Sequence, residues 1–160
     1  MTILLIVLVA VVAIVVIGAL VLNPMLQKKG DAAIDVARTN LGGRDQVTLI
    51  EPKAVGHGSE PEEAGGLRGQ GVLAVSDEAL TFVTWAPQKS FTVPRSQITG
   101  VTTSAADARA MDKATVEVAF TSAEGPAKAS FRLPEVARWL DALGFDWGPE
   151  GAPVFDEADA

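Results

Sequence analysis

The chain holds a single histidine, His57, and no cysteine. Imidazole is the side chain whose ordinary pKa lies nearest neutrality, so His57 is the first place to look for a general base or a metal ligand. Glu60, Glu62 and Glu63 follow it and would add carboxylates to a mixed nitrogen and oxygen ligand set. The surrounding stretch, AVGHGSEPEEAGGLRGQG, is rich in glycine and polar residues and reads as a long exposed loop, which would fix none of these groups. Catalysis needs a nucleophile, an acid or base and an electrophilic stabiliser in a defined arrangement, and no such set can be assembled around His57. The expectation is a protein that is not an enzyme, with no catalytic, cofactor or metal residue.

The other chemistries are narrowed by residue type. Without cysteine there are no disulfides, thiolate metal sites or thiol nucleophiles. The glycine clusters GHG, GG and GQG lack both the lysine of a Walker loop and the G-x-G-x-x-G spacing that opens a helix, so they do not cradle phosphates. A net charge of −7 argues against nucleic-acid binding, which draws its affinity from cations that neutralise phosphates. No small-molecule substrate is suggested either. What remains are contact residues. Lys53 and Arg68 flank the glycine-rich stretch, and Trp85 with Lys89 lies at a turn in TWAPQK. These four are the candidates for touching a lipid headgroup or a protein partner.

Three kinds of segment would position them. From Ile3 to Leu22 the sequence is apolar throughout, broken only by Gly18, with no charge before Lys28. A helix of that length rises about 1.5 Å per residue and spans roughly 30 Å, the hydrocarbon thickness of a bilayer. No basic n-region precedes it and no A-x-A-like site follows, so it reads as an uncleaved signal anchor over residues 1–24 rather than a signal peptide. Lys28 and Lys29 just beyond it place the remainder on the cytoplasmic side by the positive-inside rule, with the N-terminus outside. Residues 25–45 form a linker and a short amphipathic helix, in which Ala33, Ile34, Ala37 and Leu41 share a stripe. That helix is expected to pack on its own domain.

From residue 46 to 146 the pattern changes to period two. VTLIEP reads as a strand, and from Gly71 onward GVLAVS, ALTFVTW, SFTVP, ITGVTTS, ATVEVAF and KASFRL alternate apolar and polar residues, the mark of strands with one buried face. In ATVEVAF the inward set is Val116, Val118 and Phe120, and in KASFRL it is Ala129, Phe131 and Leu133. Ser76, Asp77 and Glu78 predict a tight turn, and Gly125 with Pro126 a second one. Pro134 is the expected first residue of a closing helix whose stripe is Val136, Trp139, Leu140 and Leu143, stopped by Gly144. Residues 147–160 are an acidic tail expected to be disordered.

Seven strands followed by one amphipathic helix, with GVLAVSxxALTF, FTVPxxxIxxV and the WxxAL of Trp139, Ala142 and Leu143, resemble bacterial pleckstrin-homology-like (PH/GRAM-like) domain proteins with a single N-terminal anchor. The resemblance covers roughly Val47 to Phe145. It implies a mainly β fold with a capping helix, a seven-stranded bent barrel closed by the C-terminal helix and preceded by one transmembrane helix. The function it implies is a non-catalytic, single-pass membrane-tethered interaction domain, its partners the bilayer and a protein at the cytoplasmic face of the cell membrane. The alternatives are peripheral lipid-headgroup recognition and an accessory subunit of a membrane protein complex. In phosphoinositide-binding relatives a Lys/Arg cluster lies at the first strand pair, where this chain sets Lys53 and Arg68 against Glu60, Glu62 and Glu63.

Overall fold

The computed structural model describes residues 28–103 and 114–145. Residues 28–40 are helical (α1) and lead through a 3-10 turn, Arg44–Gln46, into the strands. These are β1 (Val47–Glu60), β2 (Arg68–Ser76), β3 (Ala79–Thr84), β4 (Ser90–Pro94), β5 (Ile98–Thr103), β6 (Ala114–Ser122) and β7 (Gly125–Leu133), and the second helix, α2, is Val136–Leu143. All seven join one antiparallel sheet in the order β4-β3-β2-β1-β7-β6-β5.

Strand β1 is the spine. Residues from Val47 to His57 pair with β2, while those from Val55 to Glu60 pair with β7. The sheet bends so that the inner faces of its halves meet. The ring centroids of Phe82 on β3 and Phe131 on β7 are 5.3 Å apart, and those of Phe91 on β4 and Phe120 on β6 are 5.6 Å apart in an edge contact. Around them Leu73, Val75, Leu80, Val116, Val118 and Leu133 form the main core. Helix α2 closes over it with Val136, Trp139, Leu140 and Leu143, the stripe its 3.6-residue spacing predicts.

A second core lies on the outer face of β1 to β3. There Ala33 and Ala37 of α1, with Leu41 just past its end, bury Val72, Ala74 and Val83, with Ile50 and Trp85 at the margin. This is why every residue of β2 from Gly71 to Ser76 is buried: both faces of the strand are covered. The short amphipathic helix therefore packs on its own domain.

Several expectations are corrected. The barrel is not closed: β4 and β5 follow one another through the 3-10 turn Arg95–Gln97, yet they stand at opposite ends of the strand order and share no hydrogen-bonded ladder. Side-chain alternation is satisfied equally by a closed and an open sheet, so the pattern alone had no means of deciding closure. Among the described residues the fold is an open seven-stranded sheet with two helices, and the resemblance to pleckstrin-homology-like barrels is not upheld. The anchor expected over residues 1–24 lies outside the described residues, and among the described residues no helix is long and apolar enough to cross a membrane. α1 is amphipathic, with Asp31, Asp35 and Thr39 exposed opposite its buried alanines. On these findings the bilayer partnership, the single-pass topology and the cytoplasmic placement are set aside. With them go the tethered scaffold, its protein partner at the membrane, the headgroup reader and the membrane accessory subunit.

Local boundaries shift as well. The helix is already formed at residue 28, within the expected linker, and α2 begins at Val136, two residues beyond Pro134, with Glu135 in the left-handed region (φ 49°) before it. The glycine-rich stretch is no loop. It supplies the second half of β1, the 3-10 turn Glu62–Ala64 and the start of β2. Two of its glycines make room for one ring: a Cβ at Gly56 would stand 2.6 Å from Phe82 Cε1, and one at Gly71 would stand 2.8 Å from Phe82 Cζ. The tail over residues 147–160 lies outside the described residues.

Candidate functional site

The polar side chains that are buried serve the fold. Ser59 Oγ accepts from the Gly66 amide at 2.9 Å and so ties down the β1–β2 connection, which returns over the core through Ala64 and Leu67. Ser76 Oγ accepts from the amides of Glu78 and Ala79 and shapes the β2–β3 turn. Thr81 pairs with Thr92 at 2.8 Å, and Thr84 donates to the Pro87 carbonyl at 2.5 Å. Arg95 spans elements. Its guanidinium donates to the carbonyls of Ala142 (2.6 Å) and Leu143 (2.7 Å), the end of α2 where carbonyls lack intrahelical donors.

His57 lies exposed on β1 opposite Arg68. Glu60 is exposed opposite Lys128, and Glu62 and Glu63 fall in the following 3-10 turn. Among the described residues no group of three His, Cys, Asp or Glu side chains is placed to hold a metal ion. Lys128 forms an ion pair with Glu117 at 2.8 Å, and the hydrogen bond that the lysine donates to that carboxylate, aided by its charge, raises the lysine pKa above the usual value.

The four contact candidates separate into two groups. Trp85 follows β3 and is half-buried in the second core, where a Cβ at Gly30 of α1 would stand 3.9 Å from its ring. Its indole nitrogen is buried with no hydrogen-bond partner among the described residues. Lys89 is exposed, its main chain locked to Thr84 by three bonds. Lys53 sits exposed beside the irregularity between Glu51 and Ala54, and Arg68 opens β2. The register brings these two near Arg132, because Val55 pairs with Gln70 on one side and with Arg132 on the other. Sequence patterning marks Arg132 only as outward-facing, since nothing in β7 alone says which strand lies beside it.

The sheet also leaves a strand edge. β5, with the sequence ITGVTT, pairs only with β6 among the described strands. It carries no charge and no proline, and its inward side is led by Ile98 and Val101. The opposite edge, β4, is five residues long and ends in Pro94. Natural sheets commonly blunt their edges with charges, proline or brevity, and β4 has two of these devices while β5 has a single irregularity between Ile98 and Gly100. No protein-family model matches the chain, and no curated protein or solved structure matches it.

Proposed function

We propose that the chain is a non-catalytic domain that recognises an extended segment of another polypeptide by strand addition along β5. The observation that carries this reading is the uncharged, proline-free edge of an open sheet. Such an edge presents a row of backbone donors and acceptors, and an incoming strand gains affinity by pairing with them while alternate side chains set the specificity. Positions on the inner side of the added strand meet Ile98, which is only partly buried, and so favour apolar residues. A β5-to-β5 pairing of two copies would join only six residues from each, too little for the roughly 1,200–2,000 Å² of a stable interface, which favours a flexible segment over a second copy.

The test is selection of random peptides displayed on phage against the full chain, followed by amide hydrogen exchange with the enriched peptides. Peptides with alternating apolar residues are expected, slowing exchange along residues 98–103 and losing affinity to Thr102→Pro. Recovery of no peptide, or of peptides that leave β5 exchange unchanged, would refute the reading.

A further inference from the structure

We infer that the part of the outer sheet face left uncovered by α1 holds a second binding site, formed by Lys53, Arg68 and Arg132 around Val55 and suited to a short carboxylate-rich polypeptide segment. It is independent of the β5 edge, since β6 stands between β5 and β7, the strand that carries Arg132.

The register sets the arrangement. Phe131 and Leu133 are buried inward, so Arg132 points outward beside Val55, and across β1 the pair His57 and Arg68 follows two residues along. Arg68 is laid onto β1 by the missing side chain at Gly58, where a Cβ would stand 2.8 Å from Arg68 Nε and 3.0 Å from its Cγ. The three cations have no ion pair among the described residues. Of the carboxylates on these strands, Glu51 accepts from the backbone amide of Lys53 itself at 2.9 Å, Glu117 holds Lys128, and Glu60 stands exposed opposite Lys128, two residues beyond Gly58.

Spacing and charge name the ligand. Arg68 and Arg132 are two strands and two residues apart, roughly 12 Å between their backbones at about 4.8 Å per strand and 3.4 Å per residue. An extended peptide repeats a side chain on one side about every 7 Å, so carboxylates four residues apart reach both guanidinium groups, whose planar forks match them. The chain as a whole carries −7 and repels large polyanions at long range, whereas a short segment inside the roughly 8 Å screening length feels chiefly the local cations. An acidic peptide therefore fits better than a nucleic acid or an anionic bilayer.

The probe is a fluorescein-labelled ten-residue peptide of alternating glutamate and threonine, titrated with the full chain by fluorescence anisotropy. Binding is expected to weaken at least tenfold in Arg68→Glu/Arg132→Glu and to change less than twofold in Arg44→Glu/Arg138→Glu, which alters net charge equally at other places. Circular dichroism checks the fold, and Arg68→Gln/Arg132→Gln, expected to lose at least threefold, replaces the reversal if that variant unfolds. No binding by the parent chain, equal losses in the two double variants, or tighter binding of a DNA duplex or a phosphatidylserine vesicle through the same residues would overturn the assignment.

Discussion

Removing the Arg95 guanidinium tests how α2 is fastened. The group bonds the carbonyls of Ala142 and Leu143 at 2.6 and 2.7 Å, while its own backbone amide donates to the Glu78 carbonyl at 2.8 Å and fixes the 3-10 turn. Arg95→Met keeps most of the stem and deletes both of these short charged bonds, together with a longer one to the Ser76 carbonyl at 3.5 Å. Hydrogen bonds from charged donors contribute about 1.5–3 kcal/mol each, and a cation at a helix C-terminus adds about 0.3–1 kcal/mol. Arg95 is only partly buried, so water replaces part of what is lost, and the sum falls to about 2–3 kcal/mol. For a domain near 100 residues that lowers the thermal midpoint by about 10–20 °C. Urea unfolding followed by tryptophan fluorescence, with Trp139 buried in α2, measures it directly. Arg95→Lys should fall between the two, because an ammonium cannot span both carbonyls as the fork does. A loss below about 0.5 kcal/mol for Arg95→Met, or a lysine variant as stable as the parent, would refute the fastening role.

Three further outcomes are expected. Gly71→Ala should destabilise by about 1–3 kcal/mol, since its Cβ would meet the Val83 carbonyl and the Phe82 ring, and Phe82→Leu in the same chain should cost less than the two changes added separately, as a double-mutant cycle in urea would show. Trp85→Phe removes a buried donor that lacks an acceptor and should leave stability unchanged or raise it by up to about 1 kcal/mol, read from the thermal midpoint. The Lys128–Glu117 pair raises the folded-state lysine pKa, so its stabilisation is fully present below the unfolded value of about 10.4 and disappears as pH rises through the higher folded value. Lys128→Met should therefore differ from the parent at pH 8 and converge with it in strong alkali, and a difference that persists there would contradict the pairing.

Strands that bury one face announce themselves. Val116, Val118 and Phe120 alternate with partly exposed partners, and Val136, Trp139, Leu140 and Leu143 recur at helical spacing, so β6, β7 and α2 could be read directly. The β1–β2 hairpin could not, because Gly56, Gly58 and Gly71 contribute no alternation. Those positions stay empty because Phe82 and Arg68 already fill the space, a fact held on other segments of the chain. Closure was equally invisible, since it depends on how backbone edges meet at Arg95–Gln97. Lys53 and Arg68 were recognisable as cations free to make contacts, but their neighbour Arg132 lies far along the chain and became one only through the β1–β7 register.

The long spine strand has a consequence for synthesis. β2 to β4 can fold onto β1 as soon as they leave the ribosome, but the β1 backbone beyond Val55 finds its other partner only when β7 emerges. At roughly 5–20 residues per second, that segment waits several seconds as an unprotected edge. A chain halted before Gly125 would keep that edge permanently, which makes C-terminal truncation within β6 a predictable route to aggregation rather than to a smaller domain.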